Sequence, residues 1–448
     1  AALSNAYARA AALAELQSGA KAGLAAQPGA LEELERARGR LMSGLRAARA
    51  LGFGDSAPEL REAEKCRRRL HNYLQDLRGA TRVFCRVRPS NSRELKLNEP
   101  VVVTTQGIMS VECKDNDKDE IKRFDFDASF GPESTQDQIF DECRDLVQSV
   151  LDGYNVTIFA YGQTGAGKTF TMMGAESPPE LRGVCPRTVE ALFQAMERQA
   201  SRFTFSVTAY MLEVYCAKMN DLGASALGEK AEQAIKIHVN GGRVVLDGVL
   251  EHKVSSAEHL LQFLDNGNRM KKVTATAMNP GSSRSHTILG ITIQCENKDT
   301  GQAHQGKVLL VDLAGCERLK KSQVTGNAQK EAIEINKSLS ALGDVISAIT
   351  LGKRVPYRNH VLTQLMQDSL GGTAKTLMFV NVSPAEGNLQ ETMMCLQFAS
   401  RAKTITRDEA AAMRLQAARR GQIARRSVHE MRISKATDVV VASMRLKS

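Results

Sequence analysis

Four short apolar runs organise the middle of the chain. Val83-Phe84-Cys85-Arg86-Val87 reads as a strand, and Val156-Thr157-Ile158-Phe159-Ala160 and Val308-Leu309-Leu310-Val311-Asp312 are nearly continuous apolar runs. Thr376-Leu377-Met378-Phe379-Val380-Asn381-Val382 is a fourth. Runs without polar alternation are what central strands need when both faces of the sheet are covered. Helical periodicity lies between them, as at Gln136–Asp152 and Ile333–Ile349. The alternation predicts an α/β fold over residues 81–405: a central, mostly parallel mixed sheet with helices on both faces.

The flanks differ in texture. Residues 1–80 are rich in Ala, Leu, Arg and Glu and read as helix, with Leu31, Leu34, Leu41 and Leu45, then Leu60, Leu70, Leu74 and Leu77, at a/d-like spacing. Pro28, Gly52-Phe53-Gly54 and Pro58 interrupt the pattern, and Arg38 and Arg67 fall on its seam. This predicts a broken stalk with a coiled-coil end piece at about 59–78. The seam either forms a homodimer through the N-terminal helix or packs back on the following domain. Residues 406–448 form a second basic, helix-like segment that gives way to Val439-Val440-Val441, to which no role is assigned.

Charge and cysteines narrow the setting. The net charge of +10 sits at the ends: residues 1–80 carry 13 basic and 9 acidic side chains, residues 406–448 carry 10 and 4, and the middle carries 37 of each. Basic ends beside a neutral centre point to acidic partners, or to solvated helix faces. No apolar run approaches the roughly 18 residues that cross a bilayer, so no membrane span is expected. The start has no signal-peptide organisation, and it lacks Met, as a fragment or a processed chain does. Nine cysteines with no CxxC pair fit neither a disulfide framework nor a zinc site, which points to a reducing compartment.

The chemistry begins at Gly162-Gln163-Thr164-Gly165-Ala166-Gly167-Lys168-Thr169, a full G-x-x-x-x-G-K-[ST] motif after the strand that ends at Ala160. Its glycines let backbone N–H groups turn toward a β-phosphate at a helix N-terminus. Lys168 suits β- and γ-phosphates, and Thr169 suits Mg²⁺. A glycine-rich turn with a chance Lys-Thr is the bland alternative, and the buried strand before it argues against that. The motif alone leaves many nucleotide hydrolases and kinases open. Two more segments add to it: Asn279-Pro280-Gly281-Ser282-Ser283-Arg284-Ser285-His286, and Val311-Asp312-Leu313-Ala314-Gly315-Cys316-Glu317-Arg318. An Asp at a strand end can hold a metal's water shell, and a following Gly N–H can sense a γ-phosphate.

Tyr161 with the P-loop, Ser282–His286, Asp312–Gly315 with Glu317, Ile335-Asn336-Lys337-Ser338-Leu339 and Val355-Pro356-Tyr357-Arg358-Asn359 together resemble the kinesin superfamily of P-loop NTPase motors, in the family's order. The resemblance implies ATP and Mg²⁺ as cofactors and residue roles to match. Arg86, Arg88 and Pro89 resemble the adenine-binding strand end, next to a nucleotide cradle at Gly162–Thr169 and Phe170. Thr169 and Ser283, with Asp312 through water, are implied to hold the metal. Ser282 and the Gly315 N–H are implied to meet the γ-phosphate and the attacking water. Arg284 and Glu317 are implied to form a switch salt bridge, with Glu317 accepting a proton through water, and Asn336 to help close the switch. Read outside the motif, Arg284 and Glu317 are a surface pair worth ~0–1 kcal/mol.

The implied track is the microtubule, met by Lys320-Lys321, Lys337, Lys353-Arg354 and Arg358. Val361 stands where many members have Lys, Cys316 where Ser is usual, and the segment Met211–Gly223 lacks the usual Asn-Glu after its Tyr. Leu70–Gly79 resembles the neck of the C-terminal-motor kinesins, which step toward the minus end, though Ala80 replaces the usual Asn. Asp344-Val345-Ile346 and Tyr357–His360 look most like their calmodulin-regulated members. In the tail, Leu415-Gln416, Arg420-Gly421, Arg425 and Val428 fit an IQ pattern, so Leu415–Val428 is expected either to bind calmodulin or another EF-hand light chain, or to dock as a basic helix. The expected function is microtubule-stimulated ATP hydrolysis driving minus-end movement in the cytoplasm, on the cytoskeleton, with no nucleic-acid partner. The alternative is a slow or static structural microtubule-associated protein.

Overall fold

Each of the four apolar runs forms a strand of one sheet. In the computed structural model the strands are β1 (Thr81–Val87), β2 (Val103–Gln106), β3 (Ser110–Asp115), β4 (Glu120–Asp125), β5 (Ala128–Phe130), β6 (Asn155–Tyr161) and β7 (Phe203–Tyr215). They continue as β8 (Lys218–Asp221), β9 (Lys236–Asn240), β10 (Arg243–Asp247), β11 (His252–Val254), β12 (His286–Asn297), β13 (Ala303–Asp312) and β14 (Lys375–Val382). The structure describes residues 31–53, 60, 63, 66–67, 70, 74, 81–116, 118–228, 234–240, 243–278, 284–317, 327–370 and 374–403, with side chains for all but 31–33, 273–278 and 327–330. The principal sheet runs β11-β7-β12-β13-β6-β14-β1-β5, with β8 paired to β7. Strands β13, β6, β14, β1 and β5 are parallel, and β12, β7, β8 and β11 extend the sheet antiparallel.

The helices are α1 (Leu31–Ala50), α2 (Ser92–Lys96), α3 (Gln136–Leu151), α4 (Lys168–Met172) and α5 (Val184–Glu197), then α6 (Leu222–Ala226), α7 (Ala257–Met278), α8 (Asn327–Thr350), α9 (Val361–Leu365) and α10 (Leu389–Lys403). Alternate residues of one strand enter different cores, as the period of two requires. Ile158, Leu310 and Phe379 join one cluster with Ile139 of α3, Leu192 of α5 and Leu264 of α7. Phe159, Val311 and Met378 join the other, with Leu342 and Val345 of α8, Leu365 of α9 and Leu396 of α10. Two covered faces leave no water-facing position on the central strands, which is why their sequence carries no polar alternation.

The leucine-rich N-terminal seam is buried within the chain. Leu34 and Ala37 cluster with Leu70 and Leu74, while Leu41, Leu45 and Ala48 cluster with Leu60, Ala63 and Cys66. Rising numbers on one side meet falling numbers on the other, which is the register of an antiparallel pair. Arg38 and Arg67, read from spacing as seam positions, leave the seam and pair with α3: Arg38 to Asp145 at 3.1 Å and Arg67 to Asp152 at 2.5 Å. Asp152 is the C-cap of α3, where the helix dipole disfavours an anion, and the buried Arg67 guanidinium offsets that charge.

At the end of β7 the hairpin to β8 turns on two residues, Cys216 and Ala217, between the pair Tyr215 and Lys218. Both are left-handed, with φ of 49° and 59°. A two-residue turn of this kind favours Asn-Gly, because L side chains crowd the carbonyl in that region. Replacing Cys216→Asn together with Ala217→Gly is expected to stabilise the chain by about 1 kcal/mol, read as a higher urea midpoint at unchanged slope. A lower midpoint would refute this account of the turn.

Candidate functional site

The site lies at the carboxyl ends of parallel strands, where the P-loop leaves β6. Register places it: Ala160 of β6 is level with Asp312 of β13, and Tyr161 with Val380 of β14. Gly162 follows at φ 151°, and a Cβ there would stand 2.2 Å from the Asn381 carbonyl oxygen, so no side chain fits. Ala166 is fully buried, and Lys168 begins α4 with its Nζ donating to the carbonyls of Gly162 and Gln163, each at 2.9 Å. The Thr169 hydroxyl donates to Asp312 Oδ2 at 2.6 Å, while Asp312 Oδ1 is buried without a partner. A buried carboxylate oxygen left unpaired beside a threonine hydroxyl is the donor set that a hydrated Mg²⁺ takes, so these residues fit the ion.

The segment after β13 folds against the loop. Cys316 donates its N–H to the Gly162 carbonyl at 3.3 Å. The Glu317 carboxylate accepts from the Thr164 N–H at 2.9 Å and the Thr164 hydroxyl at 2.6 Å. A Cβ on Gly315 would lie 2.2 Å from Thr164 Oγ1 and 2.3 Å from Glu317 Oε2, so a side chain there would displace the Thr164–Glu317 pair. Glu317 is therefore not paired with Arg284. Arg284 donates instead to Glu331 of α8 at 2.6 Å. The implied Arg284–Glu317 salt bridge is absent from this conformation because each partner already holds a competing hydrogen bond. Ser282 and Ser283 lie outside the described residues. Asn336 donates to the Ala332 carbonyl of its own helix at 3.0 Å, a bond within α8 rather than to the P-loop.

The strand end expected to meet adenine is divided between two tasks. Arg86 is buried and donates to Gln136 and Thr171 beneath the P-loop, with its guanidinium 5.2 Å from the Phe170 ring centre. Burial lowers its pKa to about 10. A side chain committed to the interior cannot also meet a base from outside, whereas Pro89 and Phe170 are exposed. Arg88 donates to the Gly165 carbonyl at 2.7 Å and pairs with Glu94, whose carboxyl it holds down at about 2. Gln163 bonds Asn388 at 2.8 Å, which bonds Ser383 in turn.

Sequence reading missed Gln136 and Asn381 as site residues, and it gave no role to His286 although that residue closes one of its motifs. Asn381 donates to Thr171 at 2.7 Å and is fully buried, and its signal was visible as an amide inside an otherwise apolar run. His286, at the start of β12, joins three segments. Its Nδ1 accepts the Ala314 N–H at 3.0 Å, so the proton sits on Nε2, 2.8 Å from the Ser338 hydroxyl of α8. Ser338 then donates to the Ile335 carbonyl at 2.6 Å. A cavity of about 290 Å³ adjoins Thr169 and Asp312 and runs between α5 and α7, past Cys185, Leu264 and Lys271.

Two expectations follow. Glu331 competes for Arg284, so Glu331→Gln is expected to raise nucleotide hydrolysis without any partner by about three- to ten-fold, by favouring the Arg284–Glu317 alternative. A fall in steady-state turnover with folding intact would reject the competition. For His286, burial lowers the pKa to about 3. The unfolded chain then binds the proton near its ordinary value of about 6.5, while the folded chain resists until far lower. Stability is thus complete above about pH 6.5 and falls by up to ~1.4 kcal/mol per pH unit from this group as pH drops. Urea unfolding at pH 7, 6 and 5 measures it, and His286→Asn is expected to flatten the slope.

Residues 86–405 match the family described as the kinesin motor domain. Kinesin-like protein KIN-14E of Arabidopsis thaliana is 47% identical over 352 residues, 78% of this chain and 27% of that protein. Kinesin-like protein KIN-14I of Oryza sativa subsp. japonica is 45% identical over 351 residues, 78% of this chain and 28% of that protein. The chain thus spans between a quarter and a third of these relatives' length. Among solved structures, the motor domain of the Kar3-like kinesin from Ashbya gossypii superposes with a TM-score of 0.60 at 36% identity, over 72% of this chain and 99% of that one. The structure of a fast kinesin reaches 0.69 at 39% identity, over 74% and 93%. With the family match covering most of the chain, and a P-loop, a strand-end Asp and a buried Gly315 packed on Thr164 in one place, this chain belongs to the kinesin motor family.

Proposed function

We propose that the chain hydrolyses ATP in a microtubule-stimulated cycle and uses it to move toward the microtubule minus end. The Thr169–Asp312 contact with its unpaired Oδ1, set under the P-loop, carries the hydrolytic part. Mg²⁺ bound there, on Thr169, Ser283 and the water shell of Asp312, supplies charge neutralisation for the transferring phosphoryl group. Lys168 exchanges two carbonyls for phosphate oxygens, and Glu317 leaves Thr164 to take Arg284. That exchange brings the Gly315 N–H and Ser282 to the γ-phosphate and water, and it couples β13 to α8 through His286.

Exposed Lys337, Lys353, Arg354 and Arg358 on and after α8 support an acidic track as partner. Lys320-Lys321 lie outside the described residues, as does the tail with its Leu415–Val428 pattern. The neck resemblance at Leu70–Gly79 and the KIN-14 relatives support minus-end direction. The burial of the N-terminal seam inside the chain removes the need for a homodimer through that helix. Cytoskeletal localisation follows from the track. The tail remains a proposed calmodulin or light-chain site, which pull-down on calmodulin resin in Ca²⁺ and in EGTA decides.

A slow or static attachment is the second reading. Val361 favours it: the residue packs half-buried at the start of α9 and puts no cation where many relatives have Lys. Steady-state hydrolysis with and without microtubules separates the two. The motor reading expects at least about ten-fold stimulation, lost in Lys168→Ala, and polarity-marked filaments gliding plus end first. Unstimulated turnover with nucleotide-insensitive attachment would establish the static reading instead.

A further inference from the structure

We infer that Cys316 and Cys395 form a reversible disulfide that arrests the switch segment, making the motor sensitive to peroxide. Both cysteines are free thiols, and their sulfurs stand 3.2 Å apart. A bonded pair needs about 2.05 Å, so a closure of roughly 1.2 Å joins them. They belong to segments that must move relative to each other if the site closes. Cys316 follows Gly315 and is tied to Gly162 by its N–H, while Cys395 is carried by α10 and buried in the core against which Cys316 also packs.

The two thiols are unequal in the way that a directed reaction needs. The hydrogen bond from Cys395 holds the Cys316 thiol below its ordinary value, with the Lys168 ammonium and Tyr161 adding to the effect. Cys395 is pushed up by that same bond and by burial. Cys316 is also partly exposed, whereas Cys395 is 1% exposed. Elsewhere burial raises the thiols of Cys85, Cys113, Cys143 and Cys185, and raises even that of the exposed Cys216, which leaves them poor nucleophiles.

The chemistry balances with one hydrogen peroxide. The Cys316 thiolate attacks a peroxide oxygen, the O–O bond breaks, and hydroxide leaves and takes a proton to become water. The Cys395 sulfur then attacks the Cys316 sulfenic acid, the S–O bond breaks, and a second water departs with the Cys395 proton. Two thiols lose two electrons, and one peroxide becomes two waters. The bond ties the residue after Gly315 to α10, so Gly315 and Glu317 can no longer shift with the nucleotide. This consequence rests on the proposed hydrolytic cycle, whereas the bond itself does not.

The test uses the full chain with hydrogen peroxide, followed by alkylation and peptide mass mapping. The expected result is a Cys316–Cys395 cross-linked peptide, with a roughly ten-fold loss of microtubule-stimulated turnover that dithiothreitol restores. Cys395→Ser, with Cys395→Ala as a second variant, is expected to keep reduced turnover while forming no cross-link. Cys316 in these variants is expected to accumulate a dimedone-trapped sulfenic acid. Absence of the cross-link, with peroxide reacting first elsewhere, overturns the proposal. A cross-link without loss of turnover overturns the arrest and, read separately by mass, leaves the bond standing.

Discussion

The parallel pairing of β6 with β13 holds Asp312 level with Ala160, two residues before the P-loop begins. Everything chemical in the molecule is arranged about that register. A slip of one residue would send Asp312 to the opposite face, because side chains alternate along a strand. The register is secured by burial on both faces: Ile158 and Leu310 point into one core while Phe159 and Val311 point into the other. The hydrophobic layers therefore do more than stabilise the sheet. They fix a hydroxyl, an unpaired carboxylate oxygen and a lysine within reach of one another, at the ends of strands where no further backbone pairing competes.

Around that fixed point lie groups whose bonds are exchangeable. Arg284 is on Glu331 and Glu317 is on Thr164, each in a short, charged hydrogen bond at a partly open position. Swapping them trades two charge-assisted bonds for another, so small differential contacts with a nucleotide are enough to shift the balance. His286 links the segments on either side of that exchange. Its two ring nitrogens bind the segment after β13 and helix α8 at once, and a neutral buried ring has only one way to donate and accept. The surface beside α8 that carries Lys337 and the basic residues after it is thus connected to the nucleotide site by a short, ordered chain of bonds.

Among the described residues, ion pairs at Arg38 and Arg67 join the N-terminal segment to α3. Arg67 meets a carboxylate that the α3 dipole would otherwise destabilise, and this makes the contact specific to one helix end. The seam closes on itself as an antiparallel helical pair.

The sequence by itself determined four central strands, the P-loop and the strand-end aspartate, and the family came with the further segments Ser282–His286, Ile335–Leu339 and Val355–Asn359. Those features are local: unbroken apolar runs report burial on both sides, and glycines with Lys168 and Thr169 report a phosphate cradle within eight consecutive residues. The edges of elements were less legible, and the helix read from Ile333 begins at Asn327 because its first turns carry no apolar stripe. What only the tertiary structure decided are the pairings between distant segments: Arg284 with Glu331, Glu317 with Thr164, Arg86 turned inward to Gln136, and Arg67 with Asp152. Each joins residues that are 47 to 153 positions apart. Spacing along a chain constrains what one helix or strand presents, but the choice among several acids for one arginine is made by which layer packs where, and that choice exists only after the sheet has closed.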